Sequence, residues 1–456
     1  MPLVPELRPY QIEALRQITE QRRLIYADPV GSGKTATSLA ALGSMNSGRA
    51  LILAPTYLLD QWVREGERWS PDIEMILGAG SATKRSRARG KLREASGPAA
   101  LVLNYESAWR DAEELMALGL DTLICDESHR LKNRQTSTFK GIAKIARRLP
   151  NLLLVTGTPI LNRADEMWAS LHLLAPIAYS SFHRWSAEHF DIEVTDFHGK
   201  VSRPVRLVKG IKEGHAELIR AEVGDRLLQR DEAEIGLQLP DLVENTVIVQ
   251  LTAPERKAYD ELERRAWTRI EGELVQTVNE VAKITRQRQL AAEWGQLTTE
   301  ETTPGAKVTA TVALAEDLLE EGEHVLIVAQ HHATCVRIAT ALGKRATFLH
   351  GGLLPEVQKI RLEAFKDGTV EVLCATFGMV GEGVDGLQGA ARHLILVDRD
   401  WTPGRNQQVI GRLRRSGQEA STVYAHHVWA EGTLDTRVDA VLESKSSEIN
   451  AVTGRA

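Results

Sequence analysis

The sequence predicts an α/β protein of two parallel-sheet lobes with a helical insertion between them. Three observations carry that expectation. Apolar runs of strand length alternate with amphipathic stretches of helical length over residues 1–178 and again over 301–456. A polar, helix-prone region at 179–300, sparse in glycine and proline, separates the two. The segments richest in glycine and charge fall where the expected strands end, and open α/β sheets hold ligands at the carboxyl ends of their strands.

In the first region the runs are LIYAD (24–28), ALILAP (50–55), AALVLNY (99–105), DTLICDE (121–127) and NLLLVTGT (151–158). They are short and continuously apolar, as in a sheet covered on both faces. The middle region is typified by 254–290, PERKAYDELERRAWTRIEGELVQTVNEVAKITRQRQL, and closes with the loop TTEETTPGAK (298–307). It is expected to be a helical insertion and linker. The alternation resumes with HVLIVAQ (324–330), ATFLHGG (346–352), EVLCAT (371–376), ARHLILVD (391–398) and STVYAHHV (421–428), the strands of a second lobe.

With 456 residues, 43% hydrophobic and 26% charged, the chain can bury a core in each lobe. No apolar stretch approaches the roughly eighteen residues of a membrane span, and MPLVPELRPY lacks the basic head and apolar run of a signal peptide, so a cytoplasmic setting away from membranes is expected. Cys125, Cys335 and Cys374 show no C-x-x-C spacing and read as reduced core residues. A net charge of −5 weighs against a nucleic-acid partner, yet KRSRARGKLR (84–93) holds six basic residues and no acid. Lys84, Arg85, Arg87 and Arg89 are candidate phosphate contacts. The alternative is a solvated loop between two strands.

The chemistry concentrates in three segments. ADPVGSGKT (27–35) departs from the general G-x-x-x-x-G-K-[ST] pattern at Asp28, but keeps Gly31, Ser32, Gly33, Lys34 and Thr35 between a strand and a helix. Glycines let backbone N–H groups approach phosphate, Lys34 offers a point charge, and Thr35 and Asp126 can share Mg2+. A glycine-rich turn with an incidental lysine is the bland alternative. In DESH (126–129) Asp126 can reach the metal while Glu127 orients and deprotonates an attacking water. A strand-end acidic pair is the other reading. His129 can link this site to TGTP (156–159) or make a local hydrogen bond. The third segment, QVIGRLRRSGQ (408–418), carries arginines with no local partner. Guanidinium groups arriving from a distant segment stabilise charge on the γ-phosphate in phosphoryl transfer, so together the three read as a two-lobed, ATP-driven motor.

LRPYQ (7–11), ADPVGSGKT, LILAPTYLLDQW (51–62), DESHRLKN (126–133), LLVTGTPILNR (153–163), DRDWTP (398–403) and QVIGRLRRSGQ resemble, in order and spacing, the motifs of the Swi/Snf-type ATP-dependent DNA translocases of helicase superfamily two. DESH and FHRWSAEHFD (182–191) are most similar to the distant annealing-helicase branch. The resemblance implies two RecA-like lobes, with ATP and Mg2+ as cofactors and double-stranded or branched DNA as partner. It gives Gln11 to the adenine, Lys34 and Thr35 to phosphates and magnesium, Asp126 and Glu127 to metal and water, and Arg412 and Arg415 the role of arginine fingers. Gln408 and Gly411 would shape the start of that segment. Thr156, Gly157 and Thr158 would relay nucleotide state to the DNA grip, while Thr376 and the GEGVD run (381–385) would face the DNA backbone. Trp401 is a DNA contact or a buried core aromatic. Pro29, Arg414 and Gln358 depart from the family pattern without removing a catalytic group, and the stretch between Thr376 and Gly383 is about one residue longer than usual in the family. No histone-reading module is expected.

The leading expectation is a motor that translocates on duplex DNA and remodels DNA or protein–DNA complexes. A strand-separating or annealing helicase on forks, single-stranded DNA or RNA is the alternative. A DNA-binding scaffold with a dead ATPase conflicts with intact Lys34, Glu127, Arg412 and Arg415, and a P-loop kinase or transporter subunit would leave the second lobe without a purpose.

Overall fold

The computed structural model describes residues 6–195, 205–270, 273–277, 279–300 and 302–454. The chain forms two compact units. Unit 1 comprises Met1–Leu237 with Lys445–Ala456, and unit 2 comprises Gln238–Ser444. Among the described residues no helix is long and apolar enough to cross a membrane.

Unit 1 is built on β1 (Arg23–Tyr26), β2 (Arg49–Leu53), β3 (Glu74–Leu77), β4 (Ala99–Leu103), β5 (Thr122–Asp126) and β6 (Asn151–Val155). An antiparallel hairpin, β7 (Phe190–Thr195) and β8 (Val205–Ile211), stands apart from this sheet, and β9 (Leu227–Leu228) completes it. The strand order is β3-β4-β2-β5-β6-β1-β9 and every pairing is parallel. Alternate residues feed opposite faces: Leu51 and Leu53 of β2 enter one core, Ala50 and Ile52 the other. Both faces are thus dry, which is why these strands read as unbroken apolar runs. Because β5, β6 and β1 are consecutive in the sheet, the segments leaving their carboxyl ends, DESH, TGTP and the glycine loop, become neighbours.

Unit 2 contains β10 (Asp241–Val249), the antiparallel hairpin β11 (Trp267–Ile270) and β12 (Glu273–Gln276), and β13 (Val325–Ala329), β14 (Ala346–Leu349), β15 (Val372–Thr376), β16 (His393–Leu396) and β17 (Thr422–Ala430). Its parallel sheet has the order β10-β17-β16-β13-β15-β14. Each unit therefore has the parallel α/β sheet that the alternation of apolar runs predicts.

Residues 179–300, expected as helices and linker, contain the helices Phe182–His189, His215–Val223, Ala253–Arg265 and Glu280–Ala292 but also β7 to β12, and the chain passes from unit 1 to unit 2 within them. The helix-prone stretch 254–290 is interrupted by the β11–β12 hairpin. Ala266 adopts the left-handed conformation (φ 61°), ends the preceding helix and reverses the chain, and the alternating residues Thr268, Ile270 and Val275 bury one face of the hairpin. The basic run 84–93, read as a loop in its bland form, lies in the helix Ala82–Glu94, which Ser81 caps through the Lys84 N–H.

Candidate ATP site

The glycine loop leaves β1 and enters the helix Lys34–Ser44. Gly31 and Gly33 lie at positive φ (86° and 76°), and a Cβ at Gly33 would sit 2.5 Å from Gln11 Nε2, so only glycine fits there. Gln11 Nε2 donates to the carbonyls of Ser32 (3.1 Å) and Gly33 (3.4 Å), and Tyr10 Oη donates to Ser32 O (2.9 Å). A trans peptide points its C=O and N–H in opposite directions. Pinning those two carbonyls therefore turns the N–H groups of Gly33 and Lys34 to the other side of the loop, as a phosphate cradle needs. Gln11, assigned to adenine by resemblance, has its amide on the loop itself, with Oε1 accepting from the Arg8 N–H at 2.8 Å. Lys34 Nζ donates to the carbonyls of Asp28 (2.8 Å) and Pro29 (2.9 Å). Ser32 Oγ is buried with no hydrogen-bond partner among the described residues, which fits a loop shaped for an oxygen-rich ligand.

Asp126 ends β5. Its Oδ2 accepts from Trp62 Nε1 (2.8 Å) and its Oδ1 from the Glu127 N–H (2.9 Å), while Tyr105 Oη donates to its carbonyl at 2.5 Å. Burial pushes the Asp126 carboxyl above the ordinary carboxylate range and the adjacent Glu127 charge adds to this, against the Trp62 hydrogen bond and Lys34. Glu127 lies in the left-handed region (φ 49°, ψ 49°), a conformation that costs a non-glycine residue about 1 kcal/mol or more and is typical of functional turns. Its Oε2 is 3.2 Å from His129 Nδ1, and the same nitrogen is 3.3 Å from Thr156 Oγ1. Thr156 Oγ1 also accepts the Thr158 N–H (3.1 Å). His129 thus joins DESH to TGTP. Gly157 lies against the glycine loop, where a Cβ would meet Val30 Cγ2 at 2.9 Å and come within 3.8 Å of Lys34 Nζ. One site in unit 1 therefore gathers Lys34, Glu127, His129 and the TGTP turn. Thr35 and Asp126 supply a hydroxyl and a carboxylate, hard oxygen donors suited to magnesium.

In unit 2, Arg412 donates through Nη2 to the Gly381 carbonyl, and Arg415 Nη1 pairs with Asp385 Oδ1 at 2.6 Å. Gln408 belongs to the helix Pro403–Ile410 just ahead of them. Thr376 ends β15 and precedes the helix Phe377–Gly383. The Glu382 side chain, within the GEGVD run, lies outside the described residues. Trp401 is half-buried beneath the Arg288 guanidinium, 5.6 Å from the ring centroid.

The SNF2-related domain model matches residues 10–294, and the helicase conserved C-terminal domain model matches 307–417. The chain belongs to the SNF2-related family. It is 26% identical over 463 residues to a Bacillus subtilis protein, YwqA, named as a candidate ATP-dependent helicase/translocase, and covers 97% of this chain and 48% of that one. It is 24% identical over 458 residues to the mouse DNA annealing helicase and endonuclease ZRANB3, covering 97% and 40%. The chain thus spans about half or less of the length of these relatives. The Sulfolobus solfataricus SWI2/SNF2 ATPase core in complex with dsDNA is similar over 100% of this chain and 94% of its own, at 21% identity and a TM-score of 0.46.

Two residues of this SNF2-related site escape motif reading. Trp62, at the end of the LILAPTYLLDQW segment, is buried and its indole N–H orients Asp126. Arg230 pairs with the fully buried Asp28. The departure at Asp28 was the available signal for the second, since a buried carboxylate requires a cation. Of the basic run, Arg85 and Arg89 both pair with Asp111, whereas Lys84, Arg87, Lys91 and Arg93 are exposed. Arg414 Nε donates to the Pro240 carbonyl (2.9 Å), and Gln358 Nε2 to Leu353 O (2.9 Å), so these two departures serve local packing within unit 2.

Proposed function

We propose that this chain is an ATP-hydrolysing motor that translocates on double-stranded DNA and so remodels DNA or protein–DNA complexes. The observation that carries the reading is the pair of contacts on His129 Nδ1, to Glu127 and to Thr156, in a turn whose Gly157 lies against the glycine loop: the acidic strand end and the loop both meet the turn that follows the next strand of the sheet. In this reading the N–H groups of Gly33 and Lys34 and the Lys34 ammonium hold the phosphates. Glu127 accepts the proton of the attacking water at a carboxylate oxygen, and His129 holds that carboxylate. Thr35 and Asp126 hold Mg2+, whose charge offsets that of the phosphates. Arg412 and Arg415 stabilise charge developing on the γ-phosphate, and Gln408 positions their segment. Thr376, Trp401 and the exposed Lys84, Arg87 and Lys91 meet nucleic acid, the last three at phosphates. Arg85 and Arg89 instead hold the basic helix through Asp111.

ATP turnover measured in parallel with no nucleic acid, duplex DNA, single strands, forks and duplex RNA tests the partner. A second reading, an annealing or strand-separating helicase, draws support from the similarity to ZRANB3. Strand separation works against about 1.4 kcal/mol per base-pair step, whereas tracking an intact duplex needs only backbone contacts. The motor should displace a third strand from a triplex with little separation of a blunt duplex. Efficient unwinding without triplex displacement would favour the second reading.

A further inference from the structure

We infer that Arg230 is a positioning residue for the phosphate loop, setting its geometry through Asp28 and Tyr10; the inference rests on the nucleotide reading above. Asp28 stands at the first residue after Ala27 where the loop leaves the sheet, and none of its surface is exposed. Arg230 gives its carboxylate three donors: Nη2 to Oδ2 at 2.5 Å, Nε to Oδ1 at 3.2 Å, and its own backbone N–H to Oδ1 at 3.2 Å. Its remaining nitrogen, Nη1, donates to the Tyr10 carbonyl at 3.0 Å, and its guanidinium lies 6.0 Å from the Tyr10 ring centroid. Tyr10 in turn donates its hydroxyl to Ser32 O, beside the Gln11 amide. One planar fork therefore fixes the distance between the start of the loop and the helix Pro9–Gln21 whose side chains pin the loop's carbonyls.

The position of Arg230 in the chain adds a reason. It follows β9, which joins the sheet beside β1 and whose Leu228 carbonyl accepts the Ala27 N–H at 2.8 Å. The chain leaves unit 1 shortly afterwards, at Leu237. Arg230 is thus where the exit segment of unit 1 grips the nucleotide loop. A lone buried ion pair is weak support for stability, since desolvation of both charges offsets their attraction. Three donors on one carboxylate, with a fourth on the helix that braces the loop, are better explained by placement of the peptide N–H groups that hold phosphate.

The test uses the full chain with duplex DNA, measuring KM for ATP, kcat and the thermal midpoint of wild type, Arg230→Lys, Arg230→Ala, Tyr10→Phe and the Arg230→Ala/Tyr10→Phe pair. Arg230→Ala should raise KM by about tenfold or more, because phosphate contacts are lost already in the ground state. Tyr10→Phe should shift KM in the same direction by less. Arg230→Lys should fall between wild type and alanine, since lysine keeps the charge but not the fork. The double variant should be little worse than Arg230→Ala, as both act through one loop. A KM within about twofold of wild type in Arg230→Ala, alongside a lowered midpoint, would make the residue merely structural and overturn the inference. Fully multiplicative effects in the double variant would also overturn it. Should Arg230→Ala fail to fold, Arg230→Lys and Tyr10→Phe decide by the same KM criterion. Absence of ATP turnover by wild type on every nucleic acid would remove the motor reading and this inference together, which separates the two failures.

Discussion

Glu127→Gln isolates proton transfer from everything else the site does. The side chain is isosteric, so the left-handed backbone at residue 127 and the contact to His129 Nδ1, 3.2 Å away in the native protein, can both persist. Asp126, its hydrogen bond from Trp62 and the glycine loop are untouched. The variant should therefore fold normally and bind ATP and magnesium with near-native affinity. What it loses is a group able to take a proton from water. General-base catalysis supplies about a hundredfold to ten-thousandfold, equivalent to roughly 2.7–5.4 kcal/mol of barrier at about 1.36 kcal/mol per decade. Single-turnover hydrolysis at saturating ATP and duplex DNA measures that loss, with nucleotide affinity measured on the same preparation. Lys34→Ala is the contrasting control, because removing a ground-state phosphate contact should weaken ATP binding itself. Wild-type turnover in Glu127→Gln would remove Glu127 from the chemistry and leave its strained backbone without a functional explanation.

Arg412→Ala or Arg415→Ala should leave ATP and DNA binding largely intact while lowering hydrolysis by about a thousandfold or more, as for arginine fingers; a rate within tenfold of wild type would end that assignment. Neutralising Lys84, Arg87 and Lys91 together should weaken binding on every DNA sequence alike and flatten the salt dependence by roughly 0.9 per lost contact. Arg85→Ala and Arg89→Ala, which break the pairs with Asp111, should instead lower the thermal midpoint, and an unchanged salt slope in the triple variant would return the helix to being a solvated face. Trp62→Phe leaves a buried carboxylate oxygen of Asp126 without its donor and should reduce stability by about 1–3 kcal/mol in chemical denaturation. An unshifted denaturation midpoint would show that the indole does not hold the carboxylate.

What the sequence disclosed of the fold followed burial. The strands legible as apolar runs, β1, β2, β4, β5 and β6 in unit 1 and β13, β15, β16 and β17 in unit 2, lie largely in sheets dry on both faces, whereas β14, an edge strand with only Leu349 buried, is legible from its own apolar residues. The strands not read are those with a wet side. In β3 only Ile76 is buried; β9 has two residues; β10, Asp241–Val249, is an edge strand whose exposed Glu244, Asn245 and Thr246 break its apolar residues into two short groups. The β11–β12 hairpin was hidden inside a helix-prone stretch because its stop signal is a left-handed alanine rather than glycine or proline.

The site divides along the same line. Strand ends are local, and the order β5-β6-β1 makes neighbours of three segments that were each legible alone. Long-range side-chain partners are not: Trp62 reaches Asp126 across 64 positions and Arg230 reaches Asp28 across 202. At Asp28 the sequence could pose the question, since an acid where the general pattern has glycine must be solvated or paired, but only the return of β9 beside β1 names the partner. The basic run shows the converse. Its composition suggested four phosphate contacts, yet on a helix residues 85 and 89 share one face and 84, 87 and 91 another. A single acid, Asp111, placed by the fold beneath the first face, takes two of the six like charges into ion pairs that hold the protein together and leaves the other four exposed, Lys84, Arg87 and Lys91 in one stripe and Arg93 beyond it.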